Sequence, residues 1–121
     1  MSEPRNELDP NQVVLNLMNL SRAIGKLSDE LDGLEEDAVR KKEAYTLAYA
    51  KTFLQSNGAV EVRKQATLME TTDERLDADL AETLVKAHKR KIDTLRVRID
   101  VGRSAAALVR AEAELLNVRG R

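Results

Sequence analysis

The sequence contains no cysteine and no tryptophan, and aromatic residues make up only 2% of its 121 residues. The lack of cysteine excludes disulfide bonds and thiolate ligands or nucleophiles, and it fits a reducing compartment. The single histidine, His88, cannot build an ordinary transition-metal site without further His or Cys ligands. The five glycines match no phosphate-binding loop, and the carboxylates fall on polar helix faces. We therefore predict a non-enzymatic protein with no catalytic residues, no cofactor and no metal.

Long apolar segments and a strong charge bias are also missing. The longest apolar run covers residues 105–109, far short of the roughly 20 residues that cross a bilayer. Residues 1–8 lack the apolar stretch of a secretory signal peptide. The formal net charge is −1 at pH 7, so composition alone indicates neither a polyanionic nor a polycationic partner. No membrane partner is predicted.

Two stretches carry apolar residues at alternating steps of three and four, the heptad pattern by which helices pack in coiled coils. Asp9-Pro10 suits the start of the first helix, and Ser56-Asn57-Gly58 suits its end. The row of apolar positions that should face the other helix is called the seam here. In the first stretch the seam is Val13, Leu17, Leu20, Ile24, Leu27, Leu31, Leu34 and Ala38. In the second it is Ile92, Leu95, Ile99, Gly102, Ala106, Val109, Ala113 and Leu116.

The segment between the two stretches shows a shorter amphipathic pattern. Thr71 with Glu74 three residues later predicts a capping box at the next helix start. Beyond it Leu76, Leu80, Leu84 and His88 step by four toward Ile92, and this looser spacing predicts local unwinding or a third packing partner before the heptads begin. The sequence predicts a disordered tail at 1–8 and one helical domain at 9–121, with helices at 10–56, 59–70 and 72–119.

The fold class predicted is all-α: an antiparallel coiled-coil hairpin of two long helices joined by a short connecting helix. A short connector makes neighbouring helices antiparallel. With a bend near residue 64, facing residue numbers should sum to about 128. Gly25 should then approach Gly102, and Arg40-Lys41-Lys42 should lie beside residues 86–89.

A second apolar stripe accompanies the seam at the end of the hairpin where the chain termini meet. Exposed apolar stripes on helices usually mark interfaces. We predict a homodimer in which two hairpins form a four-helix bundle, or else a partner protein that covers the same stripe. The predicted interface residues are Val14, Leu15, Met18, Val97, Val101, Ala105, Leu108, Leu115 and Val118.

Basic residues near the middle of both helices suggest a possible belt for nucleic-acid phosphates. The alternative is that these cations pair with carboxylates one or two turns away, which is common on long charged helices. The predicted belt residues are Arg40, Lys41, Lys42, Lys86, Lys89, Arg90 and Lys91.

The three aromatic residues, Tyr45, Tyr49 and Phe53, form one stripe at steps of four. Beside Lys51, Arg63 and Lys64, such a stripe could stack on nucleobases. Large apolar residues at helical spacing are more often core. We therefore expect packing on four apolar residues of the return chain, namely Val62, Met69, Leu76 and Leu80.

The segments 44–50, 60–64 and 101–104 (AYTLAYA, VEVRK and VGRS) resemble parts of small helical proteins of unassigned function from bacteriophages and prophages. The likeness covers residues 43–110. It implies a viral protein in the host cytoplasm that binds a host or phage protein, or that assists replication or recombination. No functional residues carry over from this group.

Three functions are therefore compared. The first is an oligomeric helical protein that binds another protein. The second is a nucleic-acid-binding accessory that uses the basic belt. The third is a structural component of a virion or scaffold. A cytoplasmic location fits all three.

Overall fold

The computed structural model describes residues 9–119, which are almost entirely helical. Helix α1 covers Pro10–Gln55, α2 covers Val60–Glu70 and α3 covers Thr72–Arg119, and these described residues include no strand. The predicted all-α class is confirmed, and the two long helices pack against each other. The predicted tail at residues 1–8 and the last two residues lie outside the described part.

Helix α1 starts at the predicted place. Asp9 accepts a hydrogen bond from Asn11 N through its side chain (3.1 Å) and one from Val13 N through its carbonyl (2.9 Å). Pro10 occupies the first helical position, where its missing N–H costs nothing. Gln12 does not complete a capping box, because its side chain donates to Asn16 Oδ1 (3.3 Å). The start therefore rests on Asp9 and Pro10.

The chain reverses within a few residues after α1. Ser56 N donates to Phe53 O (3.2 Å), and Gly58 takes a φ of +107°, a conformation that favours glycine. Helix α2 follows at once and its backbone hydrogen bonds lead into α3, since Thr71 N donates to Thr67 O (3.0 Å) and Arg75 N to Thr71 O (3.1 Å). Helix α2 is thus the first part of the return chain, not a connector.

The expected capping box at Thr71 is wrong. The Thr71 hydroxyl donates backward to Thr67 O (2.7 Å), and the Thr67 hydroxyl likewise donates to Arg63 O (2.7 Å). Side-chain bonds to the carbonyl four residues earlier satisfy a threonine inside a helix instead of starting one. The hydroxyl groups therefore mark the junction between α2 and α3 as nearly continuous helix.

The contacts divide the chain into two units. The first unit combines residues up to Ser28 with residues from Arg90 onward, and the second unit is Asp29–Lys89. In the second unit Glu30 Oε2 lies 3.0 Å from His88 Nε2, so facing numbers sum to 118. In the first unit a Cβ on Gly102 would lie 2.7 Å from Leu17 Cδ2, so facing numbers sum to 119.

The predicted register, with facing numbers that sum to 128, is therefore wrong by about nine residues, or two and a half turns. The reason is the position of the turn, which lies at Gly58, well before the middle of α2. Gly25 and Gly102 do not meet, because Gly102 faces Leu17 and nothing lies within 4 Å of a Cβ placed on Gly25.

The buried seam of the second unit is built from small residues. Ala78, Ala81 and Val85 are buried, as are Thr67 and Thr71 before them. These positions continue the 3-4 spacing of Ile92 backward without loosening. Small side chains let two helices approach closely while burying little apolar area per residue.

The expected local unwinding is wrong, because α3 runs through Leu76, Leu80 and Leu84 as unbroken helix. All three leucines lie outside the seam and are exposed by 44–61%. Their steps of four follow a different face of α3 from the 3-4 steps of the buried alanines. Packing selects the alanine face because it continues the heptad row that already contacts α1.

The seam of the first unit agrees with the prediction only as far as Val109. Val13 and Ile92 are buried, and most other seam positions are half-buried. Ala113 and Leu116 were expected to face α1, but both are exposed. In the observed register both lie near or beyond the level of Pro10, where α1 begins.

Replacing Gly25 by alanine should stabilise the protein by about 1 kcal/mol, because alanine is the better residue inside a helix and the new methyl meets no atom. The same change at Gly102 should give less, since Leu17 must move away from the new Cβ. Urea unfolding of both variants measures the difference. A gain at Gly102 equal to that at Gly25 would contradict the register.

Candidate interaction surface

The predicted interface residues all lie in the first unit, and most point to solvent. Ala105 is half-buried. The others are exposed by 46–71%, with Met18 at the lower end and Val118 at the upper end. Among the described apolar residues of this unit only Val13 and Ile92 are buried, whereas the other large seam residues as far as Val109 are half-buried, so the helix pair encloses few apolar side chains completely.

One side of the helix pair in the first unit forms a cleft, called the arginine-edged cleft here. Two adjoining hollows of about 620 and 480 Å³ share Val14, Leu17 and Arg103. The cleft continues toward Arg110 and Ala113 at one end and toward Met18, Arg22 and Ile99 at the other. Its floor is aliphatic, and its charged side chains are arginines.

The other side of the same helix pair forms a smaller groove of about 180 Å³, called the amide-edged groove here. It is lined by Val101 and Ala105 of α3 and by Asn16 and Leu20 of α1, with Arg98 at its edge. The predicted interface therefore divides between two sides. Val14 and Met18 of α1 line the arginine-edged cleft, whereas Val101 and Ala105 of α3 line the amide-edged groove.

The structure does not bring the predicted basic belt together within the second unit. Lys42 lines a cleft with Asp79 and Glu82, so the first basic group lies opposite carboxylates. Lys86 and Lys89 lie on either side of His88, and His88 contacts Glu30 of α1. Glu30 is about 16 Å along α1 from Lys41, so the two basic groups lie at different levels of the helix pair. The expected approach of residues 40–42 to residues 86–89 is wrong for the same reason as the register.

Several belt cations are paired with carboxylates of their own helix. Arg40 contacts Glu36, Lys41 contacts Asp37 (3.1 Å), and Lys86 contacts Glu82 (3.6 Å). These exposed pairs each contribute little to stability, but they reduce the positive potential offered to a phosphate. Lys89, Arg90 and Lys91 are exposed and form no ion pair with the residues that the structure describes.

The aromatic stripe is half-buried but does not pack as expected. Tyr45 and Tyr49 meet edge to face with ring centroids 6.2 Å apart, and Tyr49 stacks on Phe53 at 6.3 Å. The Arg63 guanidinium lies over the Phe53 ring, 4.3 Å from its centroid, and its Nη2 donates to Phe53 O (2.8 Å). The stripe therefore ends on Arg63.

Packing of the aromatic stripe on Val62, Met69, Leu76 and Leu80 is wrong, because these four are exposed by 54–78%. Together with Leu84 they form an outward stripe in the second unit that sequence reasoning assigned to the interior. The sequence pattern that marks the buried face is the 3-4 spacing of Ala78, Ala81 and Val85. This pattern is weak because alanine is only weakly apolar.

His88 of α3 contacts a carboxylate of α1. Its Nε2 lies 3.0 Å from Glu30 Oε2, and the imidazole is mostly buried between the two helices. Among residues 9–119 no cluster of three His, Cys, Asp or Glu side chains could hold a metal ion. None of the helices in residues 9–119 contains an apolar segment long enough to cross a bilayer.

Comparison with known proteins gave no relative. No protein-family model, curated protein or solved structure matches this chain. The resemblance to bacteriophage proteins therefore stays a prediction.

Proposed function

We propose that this protein is a non-enzymatic helical interaction protein that works by packing the outer faces of its first unit against other helices. Its partners are a second copy of the chain and another protein. A cytoplasmic location accompanies this proposal because the chain lacks cysteine. A host or phage protein as the partner is the form that the sequence resemblance implies.

The observation that carries the proposal is the imbalance between buried and exposed apolar side chains. Among the described residues the buried apolar set is Val13, Ala78, Ala81, Val85 and Ile92, four of which have at most three side-chain carbons, two of these being alanine. Most large apolar residues of α3 lie at the surface instead. Two helices that bury so little leave a strong hydrophobic driving force for association.

The self-associating surface that we propose is the outer row of α3 in the first unit. Val97, Val101, Leu108 and Leu115 are separated by steps of four and seven, so they lie on one face. The row spans about 27 Å, enough for an antiparallel pair with the same row of a second copy. Two hairpins joined through this row would form the four-helix bundle predicted for the dimer. Val14 and Met18 line the arginine-edged cleft on the other side of the pair and are not part of this row.

Nucleic-acid binding is the less favoured function. The paired cations and the carboxylates beside Lys42 weaken the positive surface that a phosphate backbone needs. Lys89, Arg90 and Lys91 remain as a short basic group of three consecutive residues that form no ion pair with residues 9–119. A role as a virion or scaffold component would use the same helix packing and is tested by the same measurement of association.

Replacing Leu108 by aspartate should raise the dissociation constant of the homodimer at least about 100-fold, because two buried leucines are lost from a symmetric interface. Light scattering and sedimentation of the full chain measure this change. The matched control is Ala107→Asp, which adds the same charge one residue away on another face of α3. A wild-type chain that is monomeric at micromolar concentration would contradict the proposed self-association.

A further inference from the structure

We propose that the arginine-edged cleft of the first unit binds an acidic amphipathic helix of a partner protein. This inference rests on the proposed function, since it names the chemistry of the protein partner. It concerns the side of the helix pair that carries Val14 and Arg103, not the row of α3 that contains Leu108.

The cleft has the floor and the length of a helix-binding groove. Val13, Leu17, Ala106 and Val109 supply aliphatic surface between the two helices. From Ile99 to Ala113 the cleft follows α3 for about 21 Å, the length of a helix of about 14 residues. A helix that lays its apolar face into such a groove is a common mode of peptide recognition.

The charged groups that line the cleft are all arginines. Arg103 and Arg110 lie two turns apart on α3, and Arg22 lies near the far end on α1. None of the three forms an ion pair with a described residue, although Asp100 and Glu114 are only three and four residues away on α3. Their guanidinium groups are therefore available to carboxylates of a bound helix.

Charge complementarity selects the occupant. A second copy bound symmetrically through this face would bring Arg103 and Arg110 against the same residues of the other chain, and like charges at an interface are unfavourable. A nucleic acid would satisfy the arginines but would leave the aliphatic floor without matching apolar groups. A helix with leucines on one face and carboxylates at its edges satisfies both the floor and the arginines.

The test uses two labelled peptides of about 14 residues, the length of the cleft. Both carry leucine at heptad positions; one has glutamate at the flanking positions and the other has lysine. Fluorescence anisotropy with the full chain should show the glutamate peptide binding at least about tenfold more tightly than the lysine peptide. The double variant Arg103→Glu, Arg110→Glu should abolish or reverse this preference.

The matched control is Arg98→Glu, because Arg98 lines the amide-edged groove on the other side of the helix pair. It should leave the peptide preference unchanged, and circular dichroism should show equal helicity in all variants. Equal binding of both peptides, no binding of either, or an equal effect of Arg98→Glu would overturn the proposal. So would a change of self-association in Arg103→Glu, Arg110→Glu without peptide, which would make a second copy the occupant.

The Leu108→Asp variant separates this inference from the proposed self-association. It should bind the glutamate peptide as the wild type does, because Leu108 lines neither hollow of the cleft. Loss of the dimer with retained peptide binding would support both proposals. Peptide binding by a wild-type chain that is always monomeric would refute only the self-association.

Discussion

Replacing Ala81 by aspartate is expected to destabilise the protein by about 3 kcal/mol or more, whereas the same change at Leu80 should cost less than about 1 kcal/mol. Ala81 is 3% exposed and Leu80 is 61% exposed. Aspartate at position 81 would place a charge in the seam of the second unit without a partner. At position 80 the charge would remain in water.

Urea unfolding followed by far-UV circular dichroism measures both changes in the free energy of unfolding. The comparison is informative because hydrophobicity alone predicts the reverse order: leucine is the more apolar residue and would be the costlier one to replace. A larger loss at Leu80 than at Ala81 would show that the leucine row faces α1. The seam described for residues 71–88 would then be wrong.

Replacing Arg63 by methionine is expected to lower the free energy of unfolding by about 2 kcal/mol. The guanidinium group of Arg63 donates to Phe53 O, near the C-terminal end of α1, and covers the Phe53 ring. A hydrogen bond from a charged donor, a cation–π contact and the favourable end of a helix dipole all act at this one position. Methionine keeps the aliphatic stem but loses all three interactions.

The control for Arg63 is Lys64→Met, which removes one positive charge next to it in sequence. Lys64 forms an exposed ion pair with Glu61 at 3.6 Å, so this change should cost no more than about 0.5 kcal/mol. Arg63→Lys should recover only part of the loss, because an ammonium cannot both stack on the ring and donate in the same plane. Equal unfolding midpoints for all three variants would show that the contacts of Arg63 with Phe53 do not stabilise the turn.

The fold class and the limits of the long helices could be predicted because both depend on local signals. Asp9 and Pro10 start α1, Gly58 permits the reversal, and unbroken 3-4 spacing marks α3 from Ile92 to Val109. Each of these signals acts within a few residues, so it can be read from the chain without knowledge of what packs against it.

The register and the identity of the seam could not be predicted in the same way. Helix α3 carries two apolar rows between residues 71 and 88, and the row with the larger residues is the exposed one. Which row faces α1 depends on the turn at Gly58, because that turn sets the residue opposite each position over the whole return chain. The predicted bend was a few residues too late in the chain. The prediction therefore placed Lys42 beside a second basic group, whereas in the structure it lies beside Asp79.

The candidate site shows the same division. The residues that would be exposed and apolar in the first unit were evident from their spacing, but their distribution over two sides of a helix pair was not. Sequence by itself therefore determined that this chain forms long helices with more apolar surface than one contact can bury. Tertiary structure alone decided which surface is left over, because contact between helices depends on register and orientation, and neither is encoded in the periodicity of one helix.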